Sequence, residues 1–426
     1  MKATASHTGA SHHDAPLTAL SADEVRAEKH EMRRRRRIAV LLVAPLLAFI
    51  FFAFVAPIAT MLFRSVYNPD VVELIPKTVA KLSTWSGEGM PDDATLTTMA
   101  NELKSLAAER KAGMLAAAVN RAEPGSASLI NATARKMRAI KDEDMEGSGA
   151  LKLREADKRW AQPELWRSIK SVGRPYTDTY YLTALDLERN RAGDVHWRES
   201  ARIYLQLYGK TLGIALTITV LCLLLGYPLA YYLAHAPRRT AGLLMVLVLL
   251  PFWTSLLVRT TAWIALLQTN GVINATLMAT GIIGQPLELL YTRFATIIAM
   301  THILLPFMIL PLYSVMKGID HSYVRAALSL GSRPWSAFVR VFFPLTLPGL
   351  SAGALLVFII SVGYYITPAL VGGTDGQMIS NIIAFHMQSS GNWGLAAALG
   401  TLLLALILTL YWVYDRLVGA GSIKLG

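Results

Sequence analysis

The chain has a single cysteine, Cys222, in 426 residues, and only 16% of those residues are charged. One thiol excludes an intrachain disulfide, so any segment in an oxidising compartment must fold without one. Cys222 stands inside an apolar run and reads as a small packing residue. A soluble domain carries nearer to 25% charge, which sets this chain apart from that class. Catalytic signatures are missing too. There is no H-E-x-x-H, no G-x-S-x-G and no acidic pair inside an apolar run. Gly209-Lys210-Thr211 resembles the end of a phosphate-cradling loop, but the loop's first glycine would fall at Tyr204. The chain therefore does not hydrolyse ATP by that route, and any energy source must come from a partner. The net charge is +12. Arg33 to Arg37 stand directly before an apolar run, as the positive-inside rule describes, and no nucleic-acid motif accompanies them.

The chain is 53% hydrophobic with mean hydropathy +0.40. Its apolar residues collect in runs beyond about 18 residues, long enough to cross a hydrocarbon core. The pattern predicts an all-α integral membrane protein with six spans. These are Ile38–Phe63, Thr211–Ala236, Ala241–Leu267 (interrupted by Pro251), Phe294–Met316, Pro348–Tyr365 and Trp393–Tyr414. The first is too long for the roughly 7–15-residue core of a cleaved secretory signal and reads as an uncleaved anchor. Arg33 to Arg37 against the single Arg64 put the N-terminus in the cytoplasm. Arg238-Arg239, the segment Lys317–Arg340 and Asp415-Arg416 then fall inside. The loops Asn270–Arg293 and Gly372–Asn392 fall outside, and both termini are cytoplasmic. Residues 1–37 form a cytoplasmic tail, expected to be disordered to about Ala19 and helical after it. His12 and His13 belong to that solvated tail, and no metal site is expected. Residues 417–426 form the other tail. Gly349 and Gly353 offer a close helix contact at the head of the fifth span.

Residues 64–209 differ in kind. They are polar, and no run in them reaches spanning length. Leu96, Met99, Leu103 and Leu106 recur at helical spacing, and Pro91-Asp92-Asp93 supplies a start signal. Further helices are punctuated by Pro124-Gly125, Gly147-Ser148-Gly149 and Gly173–Pro175. Trp85, Trp160, Trp166 and Trp197 are candidates for a small core. The reading is a helical periplasmic insertion between the first two spans. Long loops cross a membrane regardless of charge.

The segment between spans four and five carries the strongest signal. It reads as a helix from Ser322 to Leu330, a turn at Gly331, and a second helix to Phe343, with Pro344 and Pro348 leading into the next span. This resembles the coupling-helix signature of ABC importer permeases, E-A-A-x-x-x-G followed by a helix ending in proline. Ala326, Ala327, Gly331, Phe338, Val341 and Pro344 match in register. Arg325 stands where the signature has glutamate, so the resemblance implies the short helix and its small face but not the usual electrostatic contact. Small alanines let the helix sit in a groove on an ATPase, and glycine lets the chain reverse. The segments Leu224–Ala234, Leu249–Thr260 and Tyr365–Gly373 look like the spermidine/putrescine permease subfamily. The long insertion resembles that of its larger members.

The resemblance implies a type I (MetI-like) permease fold, with residues 210–416 as a five-helix core and a coupling element at about 320–343. It implies a non-catalytic subunit in the bacterial inner membrane, surrounded by lipid. ABC ATPase subunits would use ATP and magnesium, and this chain would bind no cofactor. A second permease subunit, giving a heterodimer, and a periplasmic substrate-binding protein complete the assembly. The implied substrate is a polyamine, moved by alternating access. Opines, other organic cations and ferric iron stay open.

A polycation needs acids or aromatic faces, yet the six spans hold no Asp or Glu. Tyr231, Tyr232, Trp253, Tyr364 and Tyr365 offer cation–π faces, and equally suit an interfacial belt or a core. Arg259, a charge inside a span, is a functional candidate by default. Being cationic, it also suits structural pairing. Two other classes compete. A six-span sensor needs an output domain, and few residues follow Arg416. A self-sufficient carrier or channel usually shows mid-membrane ionisable groups or inverted repeats, which are not seen.

Overall fold

We describe a computed structural model of the chain. It describes residues 22–141, 144–145, 147–189, 194–198 and 202–416. The expected tails at 1–21 and 417–426, with His12 and His13, lie outside the described residues. The chain divides into two units, 1–60 and 61–426.

The first unit holds α1 (Ala22–Ile50), a π-helical turn at Phe51–Val55, and the start of α2 (Ala56–Arg64). The Ala56 N–H reaches back to the Phe51 carbonyl. Pro57 has no N–H to offer the preceding turn, which favours this wide turn. Arg34–Arg64 is long and apolar enough to span a membrane, and none of its most apolar window is buried.

The insertion follows. Its helices are α3 (Pro69–Val72), α4 (Pro76–Thr84), α5 (Asp93–Ala108), α6 (Ala112–Asn120), α7 (Ser126–Arg138), α8 (Gly149–Ala156), α9 (Pro163–Val172) and α10 (Thr179–Ala184). Asp92 caps α5 by accepting from the Thr95 N–H at 3.1 Å. Leu96, Met99, Leu103 and Leu106 turn one face of α5 into the core. Trp160 and Trp166 are fully buried with rings 5.5 Å apart. Trp160 Nε1 donates to Thr133 Oγ1 and Trp166 Nε1 to the Trp160 carbonyl, both at 2.9 Å. Trp85 packs at the edge of this core, whereas Trp197 is exposed. Trp197 lies in β2 (Val195–Trp197), which pairs antiparallel with β1 (Leu187–Arg189) in the register Leu187↔Trp197. The insertion thus ends in a small hairpin rather than a helix.

The remaining elements are α11 (Tyr204–His235), α12 (Arg238–Trp253), α13 (Leu256–Leu267), α14 (Val272–Ala279) and α15 (Arg293–Gly318). After them come α16 (His321–Ser329), α17 (Pro334–Ala337), α18 (Phe343–Gly363), α19 (Ile366–Val371), α20 (Ile379–Gln388) and α21 (Trp393–Tyr414). Helix α15 is the centre of this part. Ile218, Cys222 and Ala230 of α11 and Val357 of α18 bury against Met300, Leu304 and Met308. Close approach needs glycine. A Cβ at Gly349 would meet the Pro311 carbonyl at 2.9 Å, and one at Gly353 the Met308 Sδ at 3.0 Å. The expected G-x-x-x-G contact is therefore the α15–α18 crossing.

Four expectations shift. The second span begins at Tyr204, inside the residues assigned to the insertion. The third is broken. Arg238–Trp253 and Leu256–Ala279 meet at 97°, three residues after Pro251. Thr254 Oγ1 donates to the Pro251 carbonyl at 2.9 Å, and Ser255 Oγ accepts from the Val258 N–H at 3.2 Å. One hydroxyl closes α12 while the other opens α13. The second coupling helix does not stop. It runs through a π-helical turn, Phe338–Phe342, into α18, so Pro334–Gly363 is one span of 30 residues. Finally, the loop Gly372–Asn392 contains α20. Five helices are long and apolar enough to cross a membrane, or six if the bent pair counts as one span.

Candidate functional site

Two places gather the residues that the sequence singles out. The first is the coupling element. Asp320 opens α16 by accepting from the Ser322 N–H at 2.8 Å. That bond, with the Ser322 hydroxyl and the Arg325 and His321 charges, holds its carboxyl below the usual range. No residue of α16 is buried. Arg325 and Ala326 are exposed and Ala327 is half-buried. The helix closes with Gly331 at φ +86°. Gly331 N–H donates to the Leu328 carbonyl at 3.0 Å and Ser332 N–H to the Ala327 carbonyl at 3.1 Å. This is a Schellman end, which calls for a left-handed residue. Leu330 and Trp335, 87% and 75% exposed, flank the turn. The element thus presents small and apolar side chains outward.

Its inner side is tied down by rings. Phe338 stacks on Trp335 at 5.7 Å and meets Tyr231 edge-on at 5.9 Å. Phe342 meets Tyr231 at 5.3 Å and His235 at 5.6 Å, and His235 lies 5.0 Å from His321. Lys317 Nζ donates to the Ala234 carbonyl at 3.2 Å. The C-terminal end of α11 is therefore bound to both ends of the coupling element. Tyr231, a pathway candidate in the sequence, belongs here with its neighbour Tyr232 on α11 and not with Trp253, Arg259, Tyr364 and Tyr365. Pro344 lies in the first turn of α18.

The second place is a meeting of two helix breaks. One separates α12 from α13. The other, at Tyr364-Tyr365, separates α18 from α19. Thr260 and Thr367 face each other across them, with hydroxyls 3.4 Å apart. The Tyr364 and Tyr365 carbonyls, freed by the break, accept from Ser380 Oγ and Asn381 Nδ2, each at 2.7 Å. Arg259 is half-buried, one turn before Trp263 on α13. His302 Nδ1 accepts from Trp263 Nε1 at 3.3 Å. Trp253 is 71% exposed at the end of α12. The structure brings α13 to α19 through Thr260, the neighbour of Arg259, and leaves Trp253 facing outward. His302 and Trp263 were not singled out in the sequence. A histidine within an apolar span is itself a signal, and His302 carries it. Broken helices expose polar backbone ends inside a membrane, where transporters commonly place their binding sites.

Above this junction, Asp375 lies 3.1 Å from Arg293 and 3.8 Å from Lys210. Partial burial pushes its carboxyl up, but the Arg293 N–H and guanidinium and the Lys210 charge outweigh that and hold it low.

Residues 226–420 match the family model described as binding-protein-dependent transport system inner membrane component. Over 219 residues the chain is 36% identical to the spermidine/putrescine transport system permease protein PotB of Escherichia coli K12, covering 51% of this chain and 80% of that one. The inner membrane ABC transporter permease protein YdcU of the same organism is 32% identical over 228 residues, covering 50% and 71%. Among solved structures, a bacterial alginate ABC transporter with its pentasaccharide-bound periplasmic protein aligns over 51% of this chain and 78% of that one. Its TM-score of 0.41 and 18% identity are too low to bear on function.

The chain is therefore a multi-pass inner-membrane permease of the binding-protein-dependent, ABC-type importer family. Within that family it falls in the branch of the polyamine permeases. The family match begins at residue 226, so the insertion lies outside it.

Proposed function

We propose that this chain is the permease subunit of an importer that moves polyamines such as putrescine and spermidine inward by alternating access. The observation that carries the reading is the exposed helix–Gly331–helix element, tied by rings to α11 and continuous with α18. A push on α16 would pass directly into two spanning helices. Arg325, Ala326, Ala327 and Gly331 would meet an ATPase groove, with Phe338 and Pro344 passing motion onward. ATP and magnesium would act on separate ATPase subunits, and this chain would be non-catalytic and hold no cofactor. A second permease subunit and a periplasmic binding protein would complete the machine. The positive-inside bias supports cytoplasmic termini and a periplasmic insertion. Trp253, Tyr364 and Tyr365 would line a low-affinity path, with selectivity held by the binding protein.

Uptake and subunit retention test this reading. Gly331→Pro should abolish ATP-driven uptake and release the ATPase while membrane abundance holds. Unchanged uptake would remove α16 as the coupling element. A different small solute on the same scaffold is the second reading, favoured by the lack of acids in the spans. It predicts ATPase stimulation by that solute's binding protein and none by polyamines.

A further inference from the structure

Among the described residues, nothing answers the charge of Arg259. It lies on α13, four residues beyond the break at Ser255, and no other residue of that helix is charged. Its guanidinium enters no ion pair and no hydrogen bond among the described residues. Its Nε is closed off from solvent without a partner. The terminal nitrogens are not enclosed, and they too are unbonded. The acidic residues between Arg202 and Arg416 are Glu288, Asp320, Asp375 and Asp415. Asp375 answers Arg293 and Lys210, and Asp320 caps α16. None of the four pairs with Arg259.

The surface beside Arg259 is open and apolar. Leu257 and Val258 are 62% and 61% exposed, and Phe252 and Trp253 are exposed across the break. A face turned to lipid tails carries no charge within it. Ionisable groups inside a membrane protein pair with one another or with backbone carbonyls, or face the bundle interior or a water-filled cavity. A lipid headgroup is poorly placed to answer. Trp263, one turn beyond Arg259 on α13, donates to His302, which is nine residues, roughly 14 Å of helix, from the head of α15. A phosphate would have to leave the headgroup layer to reach that depth. A carboxylate on a neighbouring helix needs no such displacement, and its two oxygens match the guanidinium side by side.

We infer that this face seats the second permease subunit, and that the subunit supplies a carboxylate to Arg259. The inference rests on the importer reading, which provides the second subunit. Arg259 is then a positioning residue that joins two subunits beside the helix breaks. It also explains how an arginine sits near a cation path without blocking it. Paired, its charge is neutralised.

The test uses the complete transporter, with an affinity tag on this chain. Retention of the second permease in detergent and ATP-driven uptake in proteoliposomes are both measured. Arg259→Lys, which keeps the charge but not the paired N–H geometry, should weaken both less than the neutral or acidic variants. Arg259→Gln and Arg259→Glu should weaken retention by about 30-fold or more, as when one member of a buried charge pair is removed. Replacing one Asp or Glu in the spans of the second permease by Arg should restore retention to Arg259→Glu. That rescue also separates lost pairing from lost folding. Wild-type retention in Arg259→Glu would overturn the inference and leave the importer reading intact. So would the absence of any rescuing exchange, or rescue by anionic lipid alone. ATP-driven uptake with no second permease bound to the wild type would overturn the two-subunit reading itself.

Discussion

Gly331 shows how one residue decides whether an element forms. Its φ of +86° is left-handed, and a Cβ there would meet nothing within 4 Å. Replacement is therefore opposed by backbone strain and not by a clash. Gly331→Ala should cost about 1–2 kcal/mol locally, lowering uptake several-fold with normal abundance in membranes. Uptake assays at matched protein levels check this. Asp186 is a second such residue. It is fully buried and left-handed at φ 57°. Its carboxylate accepts from the N–H groups of Ile203, Tyr204 and Leu205 at 3.2, 3.2 and 2.8 Å. These are orphan donors at the start of α11. Asp186→Ala should cost about 1–2 kcal/mol and lower the melting temperature of the detergent-solubilised chain, with Asp186→Asn milder. The reversal at Gly331 was legible in the sequence; the role of Asp186 was not, because it depends on N–H groups distant in the chain.

At the scale of elements, legibility follows locality. The buried face of α5 was visible because helical spacing and an Asp cap are short-range signals. The Ala-Ala-x-x-x-Gly turn was visible for the same reason. The interruption of the third span was visible at Pro251, but its sharpness was not, since Thr254 and Ser255 pass in an apolar run for ordinary span residues. Helix α20 was hidden by its Gly- and Asn-bearing flanks. The continuity of α17 with α18 was hidden by Pro344, whose missing N–H the π-helical turn accommodates. The ring cluster makes a prediction at this scale. Phe338→Ala should leave the ATPase bound but raise the ATP hydrolysed per solute moved, because the contact to Tyr231 is lost. ATPase and uptake rates measured together would show it, and unchanged coupling would speak against the cluster. The insertion makes another. The Thr95 hydroxyl and N–H hold Asp92 below its ordinary value of 3.8. Arg159 does the same for Asp157. A depressed carboxylate stabilises the fold above its unfolded pKa, and that part is lost as pH falls through the folded one. Protease resistance of the insertion should therefore decline below pH about 4, and less so in Asp92→Asn, which still caps α5 but does not titrate.

For the whole molecule, the charge bias predicts sidedness. The native thiol of Cys222 is buried, so it should not interfere with labelling of introduced cysteines. Ser329→Cys should react with a membrane-impermeant maleimide only from the cytoplasm, and Lys111→Cys in the insertion only from outside. Reaction of both from one side would refute the insertion's placement. The architecture itself was legible from run lengths. What holds the spans together was not, because it lies in crossings such as Gly353 against Met308 and in an arginine that awaits a neighbour.

The most direct test of transport is ATP-driven uptake of labelled putrescine and spermidine into proteoliposomes holding the complete system. Wild type and Gly331→Pro would be compared at equal subunit content. The account predicts saturable, ATP-dependent accumulation with wild type and none with the variant, which should lose the ATPase. Accumulation without ATP, or equal accumulation by both proteins, would contradict it.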